Sequence, residues 1–201
     1  TSGKKVKAFP TDVSNAKDVQ KMVDGVIAEF GALDVIANCA GIQTYGDAVE
    51  TTEEVWDKTL DVNVKSMFLT AKYGVPHMRK RGGGAIVNIS SVQSIGAQKQ
   101  VVAYSTSKGA INALTRAMAM DFAVDKIRVN SVVVGGVDTD MSTAHALAIG
   151  RPLADLGFDS DETKLGRAAQ PHEIAAGITF LASSDASFVI GAPFIIDGGL
   201  L

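Results

Sequence analysis

Short apolar runs alternate along the chain with longer stretches in which apolar residues recur every three or four positions. The runs KVKAF (5–9), LDVIAN (33–38), AIVNIS (85–90), IRVNSVVV (127–134) and APFIIDGG (192–199) predict strands. NAKDVQKMVDGVIAEF (15–30) places Val19, Met22, Val23, Val26, Ile27 and Phe30 on one helical face, and Gly31 follows as a stop. Thr51 and Glu54 have the spacing of a capping box, opening a long helix that runs to about Lys80. VAYSTSKGAINALTRAMAMDFA (102–123) predicts a helix rich in small residues, and Pro171 opens another to about Ala182. Residues 136–168 are mixed, with no sustained period.

Near-continuous apolar strands alternating with helices predict a parallel sheet covered on both faces, a doubly wound, three-layer α/β domain. No repeat or linker divides the chain, so residues 1–201 read as one domain. Ligands of such sheets bind beyond the carboxyl ends of the strands. Asp12, the stretch Asn38-Cys39-Ala40-Gly41, Ser90-Ser91 and Gly135-Gly136 each follow a predicted strand and so share one rim.

Composition narrows the partners. The net charge is −3, so no basic face advertises nucleic acid or an anionic membrane. The single cysteine, Cys39, excludes an internal disulfide and suits a reducing, cytoplasmic compartment. His77, His145 and His172 lack ligand-like spacing, so no metal site is expected. No stretch has the length of a membrane span.

Tyr104 and Lys108 lie four apart on one helical face, thirteen and seventeen residues after Ser91. A tyrosine hydroxyl is a weak base with a pKa near 10, and an adjacent ammonium favours its phenolate. The pair is therefore expected to lower the Tyr104 pKa, allowing proton exchange with a substrate oxygen that Ser91 holds. This suits an alcohol or carbonyl substrate and a partner that moves hydride. Serine nucleophilic catalysis is poorly supported, because no Gly-x-Ser-x-Gly elbow is present.

With Asp12-Val13, NCAG (38–41), DVNV (61–64), NISS (88–91), YSTSK (104–108), IRVNSV (127–132) and GRAAQPHEIA (166–175) followed by FLAS and DGG, the chain resembles a single-domain short-chain dehydrogenase/reductase from about residue 5 onward. The resemblance implies a Rossmann-like fold and an NAD- or NADP-dependent oxidoreductase of secondary alcohols and ketones, with NAD favoured. It implies Tyr104 as general acid/base, Lys108 as its partner and a ligand of the nicotinamide ribose, Ser91 orienting substrate, and Asn63 completing a tetrad. Asp12 and Val13 correspond to adenine contacts, and Asn38, Ala40 and Gly41 to the turn beside the adenosine ribose, where Asn38 is equally readable as structural. Gly135, Val137 and Thr139 correspond to residues near the nicotinamide. Residues 138–168 would form a substrate lid. Alanines 110, 113, 117, 119 and 123 permit close helix approach, consistent with a homotetramer or dimer, or else pack on the sheet.

The chain also departs from the family. The strand, glycine-rich turn, helix and second strand that bind the cofactor pyrophosphate would precede residue 5. Without them the 5–9 strand is expected either to detach or to pair anew beside 33–38. A longer protein is one expectation, and a non-catalytic scaffold or partner subunit the alternative. Val134 stands where proline is usual, and Cys39 where a second asparagine is common. Gln93 and Gln98, close to Ser91, could bond substrate hydroxyls, which leans toward a sugar or polyol, with a ketoacyl compound as the other possibility.

Overall fold

A computed structural model describes residues 5–148, 150 and 163–201. The first helix, α1 (Ala16–Phe30), begins where the Asn15 side chain accepts hydrogen bonds from the backbone N–H groups of Lys17 and Asp18. It ends at Gly31, whose φ of 80° allows its N–H to cap Ile27. Strand β1 (Val35–Asn38) follows, then α2 (Glu53–Leu60), a π-helical turn (Asp61–Lys65) and α3 (Ser66–Arg81). The remaining elements are β2 (Gly84–Ser91), α4 (Val102–Phe122), β3 (Ile127–Val134), α5 (Asp140–Ala148), α6 (Pro171–Ala182) and β4 (Pro193–Ile196).

The four strands form a parallel sheet in the order β1-β2-β3-β4. The pleat sends alternate residues to opposite faces. On one face Ile86, Ile127 and Val129 meet Val75 and Met78 of α3 and Met118 of α4. On the other, Val87, Val132 and Val134 meet Ile174 and Leu181 of α6. Helix α1 packs outside α3. The expected Rossmann-like, three-layer parallel architecture is what the chain adopts.

Four expectations are corrected. Residues 5–9 form no strand; they lie beside α1 without regular structure, with Lys5 and Lys7 paired to Glu29 and the Phe9 ring against Gly25. Of the two outcomes expected for this segment, detachment is the one observed. β-propensity becomes a strand only where a neighbour supplies backbone partners, and β1 pairs on one side alone among the described residues. The helix cap is Thr52 and not Thr51: the Thr52 hydroxyl accepts from the Val55 N–H. The single long helix expected to Lys80 is interrupted by the π turn, an inserted residue that re-aims the side chains there. The last strand is also shorter than 192–199, because the Asp197 carboxylate turns the chain by accepting from the N–H groups of Gly199 and Leu201.

Gly84 shows how closely the layers meet. A Cβ there would lie 2.4 Å from the Asp34 carbonyl oxygen and 2.5 Å from Met78 Cε. The backbone contact cannot relax by a rotamer change. Gly84→Ala is expected to lower stability by about 2 kcal/mol, measured as a reduced urea midpoint at constant m-value.

Candidate active site

Because all four strands run parallel, their carboxyl ends share one rim, and a cavity of about 440 Å³ opens there. The ends of β2 and β3 and the loop after β1 supply Ser91, Gly41, Gly135 and Val137. Helix α4 contributes Tyr104 and Lys108, and α6 closes an apolar wall with Ile174 and Ile178.

The two serines of β2 divide according to the pleat. Ser90 faces α4 and its hydroxyl donates to the Lys108 carbonyl at 3.0 Å, a structural bond. Ser91 emerges at the rim. Its oxygen accepts from the Gln93 N–H at 3.2 Å, and its side chain is near enough to the Tyr104 phenol to favour the phenolate. With the oxygen already accepting from below, the Ser91 proton is the part of the hydroxyl left for the phenol or for a substrate oxygen.

Lys108 is 6% exposed. Its Nζ donates to the Ile89 carbonyl at 2.9 Å and lies 5.4 Å from the Tyr104 ring centroid. The ammonium thus sits over the ring and is drawn toward β2, without a bond to the phenol oxygen. This corrects the expectation of a lowered Tyr104 pKa: burial pushes the phenol up, and the nearby Ser91 side chain offsets only part of that. Burial acts on Lys108 in the opposite sense, lowering its pKa from the ordinary 10.5 to about 8. Between pH 8 and 10.5 the unfolded chain therefore holds a proton that the folded protein releases, so this group adds stability as pH rises through that window. Relative to Lys108→Met, the parent is expected to gain about 3 kcal/mol from pH 7.5 to 10.5. Urea unfolding at several pH values checks this, and parallel pH profiles for the two proteins would refute it.

Asn63 sits in the π turn, fully buried. Its Oδ1 accepts from the Ile42 N–H at 2.8 Å, and its Nδ2 donates to the Ile42 carbonyl and to Ser107 Oγ at 2.9 and 3.0 Å. The side chain thereby clamps the loop after β1 to α4. Gly41 fits closely in the same place, since a Cβ would lie 3.3 Å from Asn63 Oδ1 and 3.8 Å from Lys108 Nζ. Asn38 is likewise engaged: its amide donates to Asn88 Oδ1 and its carbonyl accepts from Thr70.

Thr139, Val137 and Gly135 line the cavity, and the exit of β3 is stitched to the start of α6 by bonds between Gly136, Asp138 and Ala169. A Cβ on Gly135 would lie 2.8 Å from the Asp197 Cα, so this approach admits no side chain. Asp12, Val13 and Ala40 do not line the cavity; the Asp12 carboxylate accepts from Ser14, which lowers its pKa. Residues 149 and 151–162 of the expected lid lie outside the described residues, and within it Met141 and Ser142 of α5 line the cavity. The sequence reading missed Gln43, Val92, Ile174 and Ile178 as lining residues, and Cys39 lines the cavity too. A helical period marks Ile174 and Ile178 as one face but does not say which ligand space that face closes.

The donor set suits a nicotinamide cofactor. Lys108 Nζ engages one protein acceptor, leaving donors for a ribose, and Gly41 and Gly135 keep side chains out of the same space. Among the described residues no group of three His, Cys, Asp or Glu could hold a metal ion, and no helix is long and apolar enough to cross a membrane.

Residues 1–201 match a family model described as Enoyl-(Acyl carrier protein) reductase. The chain is 40% identical over 197 residues to cyclopentanol dehydrogenase of Comamonas testosteroni, covering 98% of this chain and 77% of that protein. It is 38% identical over 192 residues to meso-2,3-butanediol dehydrogenase of Serratia marcescens, covering 96% and 74%. The ligand-free structure of Thermoplasma acidophilum aldohexose dehydrogenase superposes with a TM-score of 0.90 at 33% identity, over 99% of this chain and 80% of that one. The chain belongs to the short-chain dehydrogenase/reductase family. It is an oxidoreductase that acts on CH–OH donors with a nicotinamide cofactor, and its substrate is a small-molecule alcohol.

Proposed function

We propose that the protein interconverts a secondary alcohol and its ketone, with a sugar or polyol favoured over a 3-ketoacyl compound and NAD favoured over NADP. The observation that carries this reading is the placement of Ser91 and Tyr104 together in the lining of the cavity, with the Lys108 ammonium over the Tyr104 ring. Two adjacent hydroxyls converge on one oxygen, which is what a carbinol–carbonyl conversion requires. A bound nicotinamide supplies the hydride acceptor or donor. In oxidation Ser91 donates a hydrogen bond to the substrate oxygen, and Tyr104 takes the hydroxyl proton in its deprotonated form, which the raised pKa confines to alkaline pH. In reduction the raised pKa keeps Tyr104 protonated and ready to donate.

Lys108 is assigned to the phenol and the nicotinamide ribose, and Asn63 to positioning Gly41 and Ile42. Gly135, Val137 and Thr139 are assigned to the nicotinamide end, Gln93 to substrate, and Asp12, Val13, Asn38, Ala40 and Gly41 to the adenosine half. We further assign residues 138–168 to a lid within one domain, and the protein to the cytoplasm. A homotetramer is favoured: Ala113 and Ala117 are exposed on α4 beside Met120, whereas Ala119 packs in the core.

The test is absorbance at 340 nm with NAD and with NADP, against cyclopentanol, 2,3-butanediol and aldohexoses. Reduction of a nicotinamide by at least one of these is expected. Failure with all of them, in both directions, would sink the reading.

A further inference from the structure

Lys108 is a buried amine without a counter-ion. None of the ion pairs among the described residues includes it, and its one hydrogen-bond partner there is the neutral Ile89 carbonyl. The titratable groups close to it supply no negative charge: burial raises the Cys39 thiol and the Tyr104 phenol alike, so both are neutral at pH 7. A carbonyl dipole stabilises an ammonium far less than a carboxylate does. Burial therefore tips Lys108 toward the free amine, with a pKa of about 8.

The nitrogen is also within reach of the cavity. A Cβ on Gly41 would lie 3.8 Å from Nζ, and Gly41, Cys39 and Lys108 all line the cavity, so the missing side chain at Gly41 leaves a path to the amine. Ile174, Ile178 and Val134 make part of the same lining apolar, which suits a neutral organic molecule better than an ion. A lysine desolvated in an apolar pocket is a nucleophile, and its natural target is a carbonyl carbon.

We propose that Lys108 is also a covalent site for small aldehydes, which its free amine captures as a Schiff base. The lone pair of Nζ adds to the carbonyl carbon. The two hydrogens of the amine then leave with the carbonyl oxygen as water, and a C=N bond remains. Nothing is oxidised or reduced, and hydrolysis reverses the step. The capture goes beyond the oxidoreductase reading and does not rest on it. Its competition with a dinucleotide does rest on that reading, because the same nitrogen is assigned there to the nicotinamide ribose.

The experiment treats the protein with propanal and cyanoborohydride at pH 7.5, which fixes each imine as a propylamine, and follows every lysine by peptide mass mapping. At that pH an amine of pKa about 8 is about one-quarter free, against about one part in a thousand for an ordinary lysine. With the lower nucleophilicity of the weaker base allowed for, propylation of Lys108 is expected to be about tenfold faster than that of the exposed Lys21 and Lys80. In urea the advantage should vanish, because it comes from burial. Equal rates in the folded protein, or an advantage that persists in urea, would overturn the inference and leave the dehydrogenase reading intact. Saturating NAD or NADP should slow the labelling of Lys108 alone. Fast labelling that neither dinucleotide slows would uphold the capture and remove Lys108 from the ribose.

Discussion

Tyr104→Phe is expected to lower kcat for alcohol oxidation and for carbonyl reduction by about 10³-fold, within the range of a lost general acid/base. The ring is retained, so its packing beside Lys108 and in the wall of the cavity is retained too. What disappears is one hydroxyl, which lines the cavity with Ser91. Stability should change by no more than about 1 kcal/mol, which separates a chemical loss from an unfolded variant. The same substitution reports on the phenol itself. In the cofactor-free protein, the 295 nm absorbance difference between parent and variant should appear only above pH 10, because burial raises this group. A variant that turns over alcohol like the parent would remove Tyr104 from the chemistry. A phenolate signal near neutrality would show instead that Lys108 acts on the phenol oxygen directly.

The second large effect is on folding. Asn63→Leu preserves volume but leaves the Ile42 N–H and carbonyl and the Ser107 hydroxyl without the partner they share. Unsatisfied polar groups in a fully buried site cost about 1–3 kcal/mol each. A total near 4 kcal/mol corresponds to a fall in Tm of about 10 °C for a domain of this size. Because Ile42 adjoins Gly41 at the cavity, surviving folded protein should also show raised KM for the cofactor. A Tm within about 2 °C of the parent would mean that the π turn does not depend on this clamp.

Much of this site was legible along the chain because its signals are local. The four-residue step from Tyr104 to Lys108 is helical geometry, the stop at Gly31 is backbone chemistry, and apolar β2 and β3 read as buried strands wherever they pair. The choice of Ser91 over Ser90 came from its spacing to Tyr104, and the pleat supplies the physical reason, since adjacent residues of a strand cannot face the same way. The failures have one origin. KVKAF has the composition of a strand but no neighbour to pair with on the described structure, and strand formation is a property of the pair. The expected lowering of the Tyr104 pKa assumed that proximity along a helix means contact with the oxygen. The Ile89 carbonyl, on another element, draws the ammonium away.

By itself, then, the sequence determined which residues could form helices and strands, which side chains are candidates for the chemistry, and the family to which they belong, because each of these depends on spacing within one element or on a short motif. The tertiary structure alone decided the electrostatics and the occupancy of every donor. It buried Lys108 and Tyr104 together, turned Asn63 and Asn38 into clamps, and closed the cavity with α6. Those outcomes depend on atoms brought close from distant parts of the chain, where burial and competition for hydrogen-bond partners set the energies.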